Sequence, residues 1–293
     1  MSGRRAAAIA VLTLVAAALG AVAPVHADGS LSLSSLFDSD HGRSLDVDAR
    51  WSPVESWSLG AGVGKGATGR AGPDLSGDSL RASTDVYLGK FDAGVSLQRW
   101  KDSGEVKSRS LRAQVGMTFD NGLGAHLLFD DRSLDIVYSR QGALGQMREA
   151  TVAFDGAGFG GELSFTGERM SVAANFISQS YGRSLSRVRS AIAATDTTRF
   201  PRLQLLAASL VTRAAGATDR EIGVTLGRQF TRTSLQAQWL LLRDALTGDA
   251  THSLSLVHSH PFARHLEIDT TLGLSHGAAD GTLAFGGLAF RIR

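Results

Sequence analysis

Cysteine is absent from the 293 residues. No disulfide can staple the chain, and no lipid-modified cysteine can anchor it. Proline is scarce, at 5 residues, and aromatic residues make up only 7%. A one-signed charge is also missing. Two of the 30 basic residues, Arg4 and Arg5, lie within residues 1–27, which hold no acid, so residues 28–293 carry 28 of each sign. That balance speaks against a nucleic-acid partner, which would need a basic face. Beyond residue 27, no stretch approaches the roughly 20 apolar residues of a membrane helix.

The N-terminus has the three-part layout of a secretory signal. Arg4-Arg5 is followed by the uncharged run Ala6 to Ala23, a break at Pro24, and the small residues Val25 and Ala27 flanking His26. A signal peptide over 1–27, cleaved before Asp28, is the expectation. Residues 28–293 are then one domain by length.

What the rest of the chain has is alternation. Leu45, Val47, Ala49 and Trp51 alternate with Ser44, Asp46, Asp48 and Arg50. Leu80, Ala82, Thr84, Val86 and Leu88 alternate with Arg81, Ser83, Asp85 and Tyr87. Leu111, Ala113, Val115, Met117 and Phe119 alternate with Arg112, Gln114, Gly116 and Thr118, and Leu266, Ile268, Thr270 and Leu272 with His265, Glu267, Asp269 and Thr271. Successive strand side chains point to opposite faces, so each segment has one apolar and one polar face. Such segments run from 29–37 to 281–292, among them 123–139, 149–155, 159–166, 184–195 and 202–212. Their length suits tilted membrane strands, and lipid requires such strands to close. The fold expected is all-β: an antiparallel transmembrane β-barrel of about 16 strands, with roughly 12 to 18 allowed.

Punctuation follows the same plan. The four prolines after the signal, Pro53, Pro73, Pro201 and Pro261, are placed at turns or loops. Five phenylalanines (Phe37, Phe91, Phe119, Phe129 and Phe154) precede an aspartate and read as strand ends. Trp51 and Trp57 flank the tight turn 52–55, as interface aromatics do. With both termini periplasmic, the long connection 65–78 faces outward and 52–55 inward.

The closing segment Gly287-Leu288-Ala289-Phe290-Arg291-Ile292 is similar to the C-terminal strand of the Gram-negative outer-membrane β-barrel superfamily, although Arg293 follows where an aromatic is usual. The resemblance spans Asp28 to Arg293 as a pattern. It implies residence in the cell outer membrane, with membrane lipid and lipopolysaccharide as surroundings.

Candidate lumen-facing polar residues are Asp46, Asp48, Arg50, Arg81, Asp85, Arg112, Gln114, His265, Glu267 and Asp269. Catalytic chemistry would need His265 with Glu267 and Asp269, or Ser253 and Ser255 near His252, His258 and His260. A charge-balanced, wet lumen wall accounts for all of them, so no enzyme is expected. His258 and His260 lack a third metal ligand at a fixed spacing, and the glycines of Gly60-Ala61-Gly62-Val63-Gly64 precede no phosphate-loop lysine pair, so neither metal nor cofactor is expected. Arg183, Arg187 and Arg189 form a local basic patch suited to lipopolysaccharide phosphate or anionic solutes. The function expected is a passive pore for small solutes, with a barrel scaffold for surface or export assembly as the alternative and an outer-membrane hydrolase behind both.

Overall fold

The computed structural model describes residues 28–67, 76–102, 106–141, 147–182, 218–245, 248–277 and 281–292. Fourteen strands follow in chain order: β1 (Asp28–Asp38), β2 (Arg43–Val54), β3 (Trp57–Ala67), β4 (Ser76–Leu88), β5 (Phe91–Asp102), β6 (Val106–Thr118), β7 (Leu123–Gln141), β8 (Met147–Thr166), β9 (Met170–Tyr181), β10 (Thr218–Gln229), β11 (Ser234–Asp244), β12 (Ala250–Ala263), β13 (Leu266–Gly277) and β14 (Gly281–Ile292). Each strand pairs antiparallel with its neighbours in sequence, and β1 pairs with β14, from Leu31 opposite Ile292 to Asp38 opposite Phe285. Closure leaves no open edge, which lipid could not hydrate.

The count corrects the expectation of about 16. The segments 149–155 and 159–166 are one strand, β8, paired with β7 along its whole length. The run Gly156-Ala157-Gly158-Phe159-Gly160-Gly161 reads as a break because glycine favours bends. A Cβ at Gly156 would meet the Tyr181 ring, and one at Gly158 would meet the Gln179 side chain. These glycines make room for the bulky side chains of β9. The segments 184–195 and 202–212 lie outside the described residues, as do 1–27, Pro73 and Pro201. β9 pairs directly with β10, so the ring closes at 14 strands without 184–195 or 202–212.

Two further expectations change. Pro53 and Pro261 lie inside β2 and β12, each at a register shift, where a residue without an N–H costs the ladder nothing. Phe129-Asp130 and Phe154-Asp155 are mid-strand rather than strand ends. Tight turns join β2 to β3, β4 to β5, β6 to β7 and β12 to β13 at one end of the barrel. One of them needs glycine. Gly122 has φ +84°, and a Cβ there would collide with the Thr166 carbonyl.

Inside and outside can be told apart from one chord. Arg112 on β6 reaches Glu221 on β10 at 3.2 Å, past three intervening strands. That contact is possible only through the interior. Pairing then carries the parity around the ring. The opposite parity holds the exposed apolar side chains, such as Leu127 at 70% and Leu163 at 68%. In water such a belt would be an aggregation hazard; in a bilayer it is the lipid contact. Exposed aromatics gather at the short-turn end, where Trp57, Phe91, Phe119, Phe165, Phe230 and Phe262 stand at strand ends or in turns. They form a girdle at that end, while Phe37, at the end of β1, is exposed on the outward face at the other.

Neighbours in sequence should therefore respond differently. Val115 is exposed on the outer face, whereas Gln114 lies opposite Gly94 on the inner face. Val115→Arg should cost about 2–4 kcal/mol in a lipid refolding titration, and Gln114→Arg close to nothing. Equal costs would contradict the assignment of faces.

Candidate solute pathway

The inner wall is built from ion pairs that bridge alternate strands over glycine. Gly60, Gly62 and Gly64 of β3 face inward between β2 and β4. Across them, Arg81 donates to Asp48 at 3.1 Å and to Asp46 at 2.8 Å. A Cβ at Gly62 or Gly64 would strike those carboxylates. The Gly-Ala-Gly-Val-Gly segment is thus the floor of a salt-bridge lattice. Lower on the same wall, Arg50 donates to Ser58 at 2.8 Å and to Asp85 and Tyr87 at 3.1 Å each. On β14, Arg291 donates to Asp269 at 3.1 Å and lies 3.6 Å from Glu267.

The opposite wall is tighter. Asp130 of β7 is 1% exposed, and its Oδ2 accepts from Arg132 at 2.6 Å, Gln179 at 2.9 Å and Arg112 at 3.1 Å. Glu221 accepts from Arg112 and from Asn175. The Tyr181 hydroxyl lies 2.7 Å from Gln179 Oε1 and 2.8 Å from the Thr218 carbonyl. Buried Leu128, Phe154 and Ile177 pack on the same inward parity. Among the described residues, the inward side chains of β6 to β10 thus interlock in one hydrogen-bonded cluster. The side lined by β14 and β1 to β5 keeps a cavity of about 350 Å³, bordered by Asp48, Arg50, Arg81, Ser96, Gln98 and Arg291.

Of the residues singled out from the sequence, Asp46, Asp48, Arg50, Arg81, Asp85, Arg112, Gln114, Glu267 and Asp269 share the inward parity. His265 does not belong to a strand. It is exposed in the turn between β12 and β13, because β13 begins at Leu266. The catalytic arrangement is not assembled. Ser253 and Ser255 face inward, while His252, His258 and His260 face outward. His258 and His260 are on a strand, not in the turn expected before Pro261, and their rings stack 6.4 Å apart. Among the described residues, no group of three His, Cys, Asp or Glu side chains is placed to hold a metal. Arg183, Arg187 and Arg189 lie outside the described residues.

Asp130, Arg132, Gln179, Tyr181, Glu221 and Arg291 escaped the sequence reading. Arg291 carried a signal, as the polar residue in phase between Phe290 and Ile292. Asp130 was hidden by the Phe-Asp pattern of strand ends.

The charge balance of the sequence conceals a partition. Among the described residues, the inward side chains include Asp46, Asp48, Asp85, Asp92, Asp130, Glu162, Glu221, Asp244, Glu267 and Asp269, against Arg50, Arg81, Arg112, Arg132 and Arg291. Outward, near the end away from the tight turns, stand Arg43, Lys65, Arg99, Lys101, Lys107, Arg109, Arg220 and Arg243, against Asp78, Asp131, Asp135 and Asp155. Among the described residues, the interior is thus acidic, and the outward face at the end away from the tight turns is basic.

No protein-family model matches the sequence, and no curated protein does. Among solved structures, the CymD monoaromatic hydrocarbon channel is similar, with TM-score 0.52 at 11% identity over 91% of this chain and 88% of that one. An outer membrane protein of Vibrio cholerae, OmpT in its trimer form, gives TM-score 0.47 at 10% identity over 91% and 98%. At such identity the first likeness speaks for the fold. With the closed ring, the apolar outer belt and the charged interior, it defines the class of fold: the chain is a closed antiparallel β-barrel with an apolar outer face, as a membrane-spanning barrel requires.

Proposed function

We propose that this barrel is a passive channel for small polar solutes, with no catalytic role. The carrying observation is the polar cavity beside β14 and β1 to β5, walled by serines and by arginines held in ion pairs. A ring of 14 strands lies between the roughly eight that side chains fill and the 16 to 18 that leave a wide aqueous channel. An interlocked wall at β6 to β10 facing a cavity at β14 and β1 to β5 suits that intermediate size. The excess of inward carboxylates favours cations and neutral hydroxylated solutes over anions. In this reading residues 1–27 are a cleaved signal peptide, and the long connections face the lipopolysaccharide side.

Selectivity tests the proposal. In a salt gradient across a lipid bilayer, the reversal potential should report preference for K⁺ over Cl⁻. Asp46→Asn/Asp48→Asn frees Arg81 and should move that preference toward Cl⁻. A wild-type channel that prefers Cl⁻, or a reversal potential unmoved by the double substitution, would reject the pathway described.

A further inference from the structure

We propose that Arg99 and Arg109 bind the phosphate of a lipid headgroup in the leaflet around the end of the barrel away from its tight turns. This rests on the reading of that end as the outer one.

Arg99 of β5 and Arg109 of β6 are register partners, and Lys101 and Lys107 are partners one pair further out. All four are exposed. They share the outward parity of Val95, Leu97, Leu111 and Ala113. Like charges directly opposite each other destabilise a strand pair, so this arrangement calls for an anion. The two rows differ in what flanks them. Asp78 partners Lys101 and Asp135 partners Lys107, so carboxylates stand on both sides of the lysines. The arginine row is flanked directly by Leu80 and Ser133, with the nearest β7 carboxylates, Asp131 and Asp135, one outward-facing step to either side of Ser133. Among the described residues no ion pair or hydrogen bond engages the side chain of either arginine.

Depth selects the ligand. Leu97 and Leu111 lie one outward-facing step closer to the middle of the barrel, roughly 7 Å along the strand. The arginines therefore stand just above the apolar pairs Leu97–Leu111 and Val95–Ala113, where a headgroup phosphate would sit above its own acyl chains. Two guanidinium forks side by side suit the geometry of phosphate oxygens, which each fork can engage in a bidentate manner. The acyl chains would run down over Leu97, Leu111, Val95 and Ala113. A soluble phosphate makes the charged contact and lacks the apolar one.

The refolded full chain can be titrated in detergent with diphosphorylated lipid A and with the same glycolipid stripped of phosphate, and bound lipid counted by native mass spectrometry. Wild type should retain the phosphorylated lipid at least about tenfold better. Arg99→Gln/Arg109→Gln should erase that difference, and Arg99→Lys/Arg109→Lys, which keeps the charges without the forks, should fall between. A millimolar excess of inorganic phosphate should not displace the lipid. Equal retention of the two lipids, unchanged retention in the glutamine variant, or displacement by inorganic phosphate would each overturn the site. The lysine variant preserves the test should the glutamine variant fail to refold. Heat-modifiable mobility is read on the same samples. Its absence in the wild type would overturn the barrel reading itself, whereas its presence without lipid selectivity would overturn only the site.

Discussion

Deleting residues 284–293 is expected to abolish outer-membrane recovery and the heat-modifiable mobility of a folded barrel. The deletion removes most of β14, from residue 284 on, which pairs with β13 from Leu266 opposite Ile292 to Gly277 opposite Gly281. Its other edge holds β1, from Leu31 opposite Ile292 to Asp38 opposite Phe285. Removing one strand from a sandwich shortens a sheet and leaves a weaker, soluble fold. Removing one from a ring exposes two edges, and the backbone groups along each have no partner in lipid. Each such group costs several kcal/mol, so the total exceeds the whole stability of an ordinary domain. The 13 remaining strands cannot simply reclose. β13 and β1 both run antiparallel to β14, so they are parallel to each other and would have to join in a parallel ladder. Fractionation and gel mobility of the truncated chain provide the check. A folded, soluble product in the periplasm would contradict the membrane barrel.

Asp130→Ala is expected to be the most damaging single substitution in the interior, at about 3–5 kcal/mol. Asp130 is 1% exposed and sits between Arg132, whose side chain is 11% exposed, and Arg112, at 35%. Without the carboxylate, Arg132 loses its shortest acidic contact while it stays nearly buried, with Glu221 at 3.7 Å, and Gln179 loses the carboxylate it donates to. The loss is larger than the worth of the ion pair, because the cost lies in the charge left behind. Arg132→Ala added to Asp130→Ala should therefore restore part of the stability. By contrast, Lys90→Ala should cost less than about 1 kcal/mol, since its pair with Asp120 is wet on both sides. Urea titrations of refolded protein in lipid would measure all three. A cost below that of Lys90→Ala at Asp130 would show the inner network to be ornamental.

The faces of the strands were legible because parity is a strictly local property. Asp46, Asp48, Arg81 and Asp85 alternate with Val47, Leu80 and Val86 whatever lies next to them. Strand number was less legible, since it depends on where strands stop. Glycine at 156, 158 and 160 looks the same in a turn as in a strand cleared for Tyr181 and Gln179. Aspartate at 130 looks the same after a strand-ending Phe as in a buried network. Partners across the ring were not legible at all. Arg112 and Glu221 are 109 residues apart, and their contact depends on the curvature of the closed wall rather than on any spacing. The same limit hid the partition of charge, because a neutral total says nothing of which face holds which sign.

Conductance of the purified barrel in a planar lipid bilayer tests the channel most directly. Addition of the refolded wild-type chain alone should give discrete, stable current steps whose size grows with salt concentration. A heat-modifiable, correctly inserted barrel that passes no current at any salt concentration would contradict the open pathway beside β14 and β1 to β5.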